Sequence, residues 1–119
     1  MRILLIVGDE DFSVVLKHAL RSIDDNINID RAKTFCEAEE MLRHTKYRMA
    51  LCDGDLKPIC RSSQRAAQRI KAMQPEIKVL YMVSKDSDAE AFASADKVIS
   101  KPFTSSDIIK ETADALAQN

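Results

Sequence analysis

The chain has 119 residues, which fits a single domain spanning 1–119. Its formal net charge is −1, so it lacks the basic excess with which proteins attract nucleic acids or anionic lipids, and we expect no direct nucleic-acid or membrane partner. The three cysteines, Cys36, Cys52 and Cys60, are too few and too scattered for a disulfide framework or a zinc site, which predicts a reducing, cytoplasmic setting.

Apolar runs and amphipathic stretches alternate along the first half of the chain. Residues 3–7 (ILLIV) predict a strand buried on both faces. The next apolar residues recur at helical spacing and predict a helix with one apolar face: Phe12, Val15, Leu16, Ala19, Leu20 and Ile23. Ile27 and Ile29 alternate with polar residues, which predicts a short, more exposed strand. Thr34 and Glu37 form a capping box that begins a second amphipathic helix.

The second half continues the same alternation. It predicts, in order, a third strand, a long helix, a fourth strand, a short helix and a fifth strand, over residues 48–52, 59–73, 77–83, 86–95 and 98–99. Pro75 ends the long helix. A last helix, capped by Thr104 or Ser105, buries Ile108, Ile109, Thr112, Ala113 and Leu116. Five such βα units imply a parallel sheet that is covered by helices on both sides.

The residues that follow the strands carry the candidate chemistry, because open α/β sheets bind ligands beyond the carboxyl ends of their strands. These residues are Gly8, Asp9, Glu10 and Asp11; Asp53, Gly54 and Asp55; Ser84 and Lys85; and Lys101 and Pro102. Converging carboxylates repel one another, and Mg²⁺ relieves that repulsion while keeping room for a phosphate. A carboxylate beside the ion can attack phosphorus, with an ammonium and a hydroxyl holding the other oxygens.

Each candidate also has a plainer interpretation. Asp53-Gly54 is a hairpin-turn signal, but the residues that follow, Leu56-Lys57-Pro58, make a poor second strand. Asp9 and the acids after it suit a helix N-terminus as well as a metal site. Only two glycines are present, so no glycine-rich phosphate loop can be drawn. The pattern therefore favours a reactive carboxylate at residue 53.

Four sequence blocks in this order resemble the response-regulator receiver domain of two-component signalling: ILLIVGDED, ALCDGDL, VLYMVS and VISKPF. The similarity spans essentially the whole chain. It implies a flavodoxin-like, doubly wound (βα)5 fold with a five-stranded parallel sheet in the order 2-1-3-4-5. In this family the lysine–proline bond of the last block is commonly cis, and the Lys101–Pro102 pair permits that.

The resemblance assigns roles to individual residues. Asp53 matches the aspartate that accepts a phosphoryl group from a histidine kinase or phosphotransfer protein. Asp9 matches a direct Mg²⁺ ligand, and Asp55 stands where a backbone carbonyl usually completes the metal site. Ser84 and Lys101 match the hydroxyl and the lysine that meet the phosphoryl group. The resemblance implies that the chain does not turn over an external substrate. Its only reaction besides accepting the phosphoryl group is the slow hydrolysis of its own acyl phosphate.

The chain departs from the family pattern at several positions. Gly8 stands where the first of two adjacent acids is usual, and Glu10 is a candidate substitute at the metal. Lys57-Pro58 replaces the usual proline–glycine loop. Val98 stands where an aromatic residue is common, and the stretch between the last two blocks is short. The face formed by the fourth helix, fifth strand and last helix is expected to carry the signal and allows a homodimer.

Two other functions stay open. The departures suit a pseudo-receiver, an interaction module that is not phosphorylated. The sequence also resembles the motifs of haloacid-dehalogenase-like phosphatases, at DGDL, MVS and the later lysine. In those phosphatases the DxD motif follows the first strand, whereas here it follows the third. The downstream partner, and an output domain beyond residue 119, are left open.

The remaining candidates favour structural roles. Arg61, Arg65 and Arg69 lie four residues apart and predict a solvated basic face. His18 and His44 have no ligand pattern near them and are predicted to lie on the surface.

Overall fold

The computed structural model describes residues 1–53, 66–83 and 95–117. Its strands are β1 (Arg2–Ile6), β2 (Asn28–Ala32), β3 (Met49–Asp53), β4 (Lys78–Val83) and β5 (Lys97–Ser100). Its helices are α1 (Glu10–Ile23), α2 (Phe35–His44), α3 (Ala66–Met73) and α4 (Ser105–Ala117). None of these four helices has the length and apolar character needed to cross a membrane. The short helix predicted over 86–95 and the start of the long helix at 59–65 lie outside the described residues, apart from Ala95.

The five strands form one parallel sheet in the order β2-β1-β3-β4-β5, which confirms the expected arrangement. β1 lies between β2 and β3, with Ile6 opposite both Ala32 and Cys52. From β1 the sheet extends to β2 on one side and to β3, β4 and β5 on the other. The strand order therefore reverses between β1 and β3, and their carboxyl ends flank the position where such sheets bind ligands.

Both faces of the sheet carry a hydrophobic core. Leu4 and Ile6 belong to the cluster that packs under α2 and α3, whereas Ile3 and Leu5 belong to the cluster under α1 and α4. All four side chains are fully buried, because successive strand residues point to opposite faces and both faces are covered. This explains why β1 is a continuous apolar run. The edge strand β2 is more exposed, as predicted.

The buried face of α1 differs from the prediction at one residue. Leu16 and Leu20 are fully buried, but Val15 is 50% exposed. Each residue turns an α-helix by 100°, so Val15 lies a quarter turn away from the stripe centred on Leu16. Ser13 occupies the stripe instead, and its hydroxyl donates to the Glu10 carbonyl at 2.6 Å. Helical periodicity alone wrongly assigned Val15 to the buried face of α1.

Two threonines begin helices as predicted. Thr34 Oγ1 accepts from Glu37 N–H at 3.1 Å at the start of α2. At α4, Thr104 Oγ1 accepts from Asp107 N–H at 3.2 Å, and Asp107 Oδ2 accepts from Thr104 N–H at 2.9 Å. Of the two candidate caps for the last helix, Thr104 makes these bonds. Such a cap contributes about 1 kcal/mol to helix stability.

Cysteine usage differs from the sequence-based expectation. Cys36, in the first turn of α2, is disulfide-bonded. Cys52 is free and fully buried, and burial raises the pKa of its thiol. Cys60 lies outside the described residues. A single disulfide does not make a disulfide framework, but it removes cysteine usage as an argument for a reducing compartment. The cytoplasmic location stays a prediction.

Asp96 joins α3 to the start of β4. Its Oδ2 accepts from Val79 N–H at 2.8 Å and lies 2.8 Å from Lys71 Nζ, while its own N–H donates to the Val79 carbonyl at 2.9 Å. Burial by itself raises the pKa of Asp96, but the Lys71 and Val79 hydrogen bonds outweigh it and hold the pKa below its ordinary value of 3.8. Asp96 therefore stabilises the fold in its ionised form.

We expect Asp96→Asn to lower the free energy of unfolding at neutral pH by about 1 kcal/mol, since it loses a charge-assisted hydrogen bond that solvent partly screens. The folded-state pKa is depressed, so the stabilisation is present above pH 3.8 and is lost as the pH falls through the folded-state value. Urea unfolding at several pH values in this range measures the difference in the free energy of unfolding between Asp96→Asn and the unaltered protein. Asp114→Asn, on the exposed face of α4, is the matched control. If the difference between Asp96→Asn and the unaltered protein stays constant as the pH falls below 3.8, the ionised form of Asp96 does not stabilise the fold.

Candidate functional site

The carboxyl edge of the sheet brings together side chains that are far apart in the sequence. Asp53 is the last residue of β3. Ile6 pairs with Cys52, so the segment from Val7 to Asp9 continues alongside Asp53. Lys101 follows β5 directly, and its N–H donates to the Val83 carbonyl at 2.7 Å, which extends the ladder between β4 and β5. The three strand ends thus face one region.

Asp53 and Lys101 form the central contact of this region. Lys101 Nζ lies 2.9 Å from Asp53 Oδ1, with the two side chains 28% and 15% exposed. A charge-assisted hydrogen bond of this length is stronger than a bond between neutral groups. The lysine reaches across from β5 to β3, past the intervening β4. The sequence named both residues, and the structure places them in contact.

Two aromatic rings lie beside the lysine. The ammonium of Lys101 is 5.4 Å from the centre of the Phe12 ring, within the range of a cation–π attraction. Phe12 in turn packs against Phe103, with 5.9 Å between the ring centres. Sequence reasoning assigned Phe12 only to the apolar stripe of α1. Its place three residues after Asp9, at the start of the helix, was the signal that could have linked it to the site.

Asp9 is the N-cap of α1. Its Oδ1 accepts from Asp11 N–H at 2.9 Å and from Phe12 N–H at 3.3 Å, while neither bond uses Oδ2. The carboxylate is exposed. The capping and metal-binding interpretations are therefore compatible, because both capping bonds use Oδ1 and the residue is exposed. Glu10 is the first residue of α1 and is also exposed.

The structure can be tested for a fit to Mg²⁺. Among residues 1–53, 66–83 and 95–117, no three His, Cys, Asp or Glu side chains gather closely enough to hold a metal ion. Mg²⁺ needs only one or two carboxylates, since it keeps several waters and binds phosphate oxygens. Asp9 and Asp53, at the ends of neighbouring strands, meet that requirement. Asp55 and Ser84 lie outside the described residues.

Arg31 is a charged residue at this edge that sequence reasoning missed. Its Nε donates to the Val7 carbonyl at 3.1 Å, and its Nη2 donates to the Gly8 carbonyl at 2.9 Å. The guanidinium is therefore hydrogen-bonded to the main chain immediately before Asp9. Finding it from the sequence required knowing that β2 pairs with β1 and with which register, and periodicity does not supply the register.

Other sequence candidates take structural positions. Arg69 Nη2 lies 2.9 Å from Glu39 Oε1, so this arginine ties α3 to α2. His18 is exposed, as predicted. His44 is also on the surface, 2.9 Å from Glu40 Oε1, and the hydrogen bonds from His44 and then Arg43 lower the pKa of Glu40. Arg61 and Arg65 lie outside the described residues.

Comparison of the sequence with models of protein families finds no match, and comparison with curated proteins finds none either. Comparison of the structure with solved structures finds response-regulator receiver domains over nearly the whole chain. The receiver domain of NtrX from Brucella abortus has a TM-score of 0.85 at 20% identity, covering 98% of this chain and 99% of that one.

Two further structures agree. The non-phosphorylated HemR receiver domain from Leptospira biflexa has a TM-score of 0.81 at 24% identity, covering 99% of this chain and 95% of that one. A response regulator from Thermotoga maritima has a TM-score of 0.79 at 21% identity, covering 98% of each chain. At such identities the likeness shows the fold, so this chain has the receiver-domain fold that its sequence blocks resemble.

We expect Phe12→Leu to loosen Lys101, because leucine keeps an apolar side chain but removes the face of the aromatic ring. A cation–π contact of about 0.5–1 kcal/mol corresponds to a two- to fivefold faster exchange of the Lys101 ammonium protons with solvent. Lysine-selective nitrogen NMR measures that exchange. Phe12→Tyr, which keeps the ring, should behave like the unaltered protein. Equal exchange in Phe12→Leu and Phe12→Tyr would show that the ring face does not hold the ammonium.

Proposed function

We propose that this chain is a signalling receiver in which Asp53 accepts a phosphoryl group from a histidine kinase or phosphotransfer protein, in a Mg²⁺-dependent reaction that switches a protein-interaction surface. The observation that carries the proposal is the Asp53–Lys101 contact of 2.9 Å at the carboxyl edge of a receiver-fold sheet. A carboxylate and an ammonium from different strands meet where this class of sheet places its chemistry.

Phosphoryl transfer to Asp53 requires one covalent step from the protein, the attack of the carboxylate on phosphorus. An Asp53 carboxylate oxygen bonds to phosphorus while the phosphorus–nitrogen bond of the donor's phosphohistidine breaks, and its electron pair returns to the imidazole. The product is an acyl phosphate on Asp53. Catalysis of such a step depends on alignment and on stabilising the phosphoryl oxygens. Asp9 and Asp53 would hold Mg²⁺, which when bound neutralises charge on those oxygens.

Lys101 is the residue whose contact must change. In the unphosphorylated structure its ammonium pairs with the same Asp53 carboxylate that would become the acyl phosphate. When an oxygen of Asp53 bonds to phosphorus, the negative charge moves outward to the phosphoryl oxygens. The ammonium follows that charge as a flexible point cation. Ser84, the residue assigned to another phosphoryl oxygen by resemblance, keeps that role as a prediction.

The movement of Lys101 would start the switch, because Lys101 follows β5 directly. On that strand Val98 is 49% exposed, and Lys97 Nζ pairs with Glu111 Oε2 of α4 at 3.2 Å. A local change in charge that shifts two arrangements of this face would alter its fit to a partner. The downstream partner, or a second copy of the chain, would bind there.

A second function has one observation in its favour. Gly8 supplies no carboxylate, and its carbonyl accepts from the Arg31 guanidinium instead. This replaces a metal-binding acid by a cation and suits a pseudo-receiver that is not phosphorylated. The phosphatase alternative has less support, since the Asp-Gly-Asp motif begins at the end of β3 rather than of the first strand.

Phosphorylation tests the proposal directly. With Mg²⁺ and a small acyl-phosphate donor, the protein should gain the mass of one phosphoryl group, measured on the intact chain at low temperature. Asp53→Asn should abolish the gain, because the amide is a poor nucleophile. Asp25→Asn, at an exposed position after α1, is the matched control and should be phosphorylated normally. A gain that survives Asp53→Asn removes Asp53 from this role, and no gain in the unaltered protein supports the pseudo-receiver.

A further inference from the structure

The guanidinium of Arg31 is held by main-chain carbonyls at the edge of the sheet where Asp9 and Asp53 lie. Its two hydrogen bonds go to successive main-chain carbonyls, those of Val7 and Gly8. Among the residues that the structure describes, it forms no ion pair. Arginine stays protonated at all ordinary pH values, so a permanent positive charge sits here.

The charge lies close to the candidate metal ligand. Arg31 Nη2 is 2.9 Å from Gly8 O, and only three covalent bonds separate that oxygen from the Cα of Asp9. The guanidinium is therefore nearer to the Asp9 carboxylate than the screening length of about 10 Å at 0.1 M salt. Dissolved salt at this concentration therefore only partly screens the repulsion between the guanidinium and a cation bound to Asp9.

We propose that Arg31 is a fixed counter-charge that lowers the affinity of the Asp9–Asp53 site for divalent cations. The two carboxylates carry two negative charges, which Lys101 and Arg31 balance. A bound Mg²⁺ takes this group from neutral to doubly positive, whereas without Arg31 it would go from one negative charge to one positive. Arg31 thus makes metal occupancy dependent on an added anion such as an incoming phosphoryl group. The inference rests on the proposed metal site.

Gly8 places no carboxylate directly beside the Arg31 guanidinium. A carboxylate at residue 8 would lie beside the guanidinium that grips the residue 8 carbonyl, and the two charges would offset each other. Glycine has no such group. The exposed acids Glu10 and Asp11 stand in the first turn of α1, where the positive end of the helix dipole already attracts them. The combination of Gly8 with Arg31 therefore shifts the edge toward positive charge.

A positioning role for Arg31 predicts the opposite outcome. If the two hydrogen bonds served only to hold the segment before Asp9, removing them would disorder the ligand and weaken metal binding. If the charge dominates, removing it strengthens binding. The direction of the change on substitution therefore separates the two roles.

The experiment is a Mg²⁺ titration followed by the amide NMR shifts of residues 8–11, without a phosphoryl donor. Arg31→Gln should lower the dissociation constant about three- to tenfold, as expected for removing one charge from near a divalent ion. Arg31→Lys, which keeps the charge but loses the two-pronged grip, should stay within about twofold of the unaltered protein. The gain in Arg31→Gln should shrink between ~0.05 M and ~0.5 M salt, because screening weakens the repulsion.

Two controls complete the design. Arg48→Gln is matched, because Arg48 Nη2 also donates to a main-chain carbonyl, that of Leu116 at 3.1 Å, but lies before β3 at the opposite edge; it should leave Mg²⁺ binding unchanged. Asp9→Asn should weaken binding strongly and so reports on the site itself. Circular dichroism verifies the fold of each variant.

The outcomes are separable. Unchanged or weaker binding in Arg31→Gln, with Asp9→Asn still losing the metal, overturns the counter-charge and leaves the site intact. Tighter binding in Arg31→Lys equal to that in Arg31→Gln also overturns it, because the charge is then not the cause. No Mg²⁺ binding by any variant overturns the metal site and this inference with it, whereas loss of phosphorylation on Asp53 alone would bear only on the proposed function.

Discussion

All five strands run in the same direction, and this constraint brings Asp9, Asp53 and Lys101 to one edge of the sheet. In a parallel sheet each strand ends at the same edge, so residues that follow different strands meet although the chain between them is long. Asp9, Asp53 and Lys101 come from the ends of β1, β3 and β5. The two buried cores hold the strands in this arrangement from both sides. The candidate site is thus supported by the two buried cores.

The edge of the sheet combines opposite charges that come from different elements of the fold. Lys101 is bound to Asp53 by a short hydrogen bond and touches the face of Phe12, so it has two attractive partners on different elements. A phosphoryl group on Asp53 would compete for the same ammonium with more charge. Lys101 follows β5 directly, and this strand also contacts α4 through the Lys97–Glu111 ion pair.

Most of the strands and helices could be predicted from the sequence, because local patterns determine them, whereas the strand order was implied by the family resemblance. The continuous apolar run of β1, the alternation in β2 and the cap at Thr34 each follow from backbone geometry and burial over a few residues. The error at Val15 has the same origin, since an apolar residue at the margin of a helical stripe carries no sign of which side faces the core. The disulfide at Cys36 was missed because cysteine spacing does not reveal which residues are neighbours in space.

The sequence by itself determined which strand ends bear carboxylates and a lysine, and it named Asp53 and Lys101 as site residues, which the structure places in contact. Only the tertiary structure decided what surrounds them. The position of the Phe12 ring over Lys101 and the hydrogen bonds from Arg31 to the Val7 and Gly8 carbonyls depend on the register between strands and on side-chain direction. Those quantities are set by the packing of the whole sheet against its helices, and no short stretch of sequence encodes them.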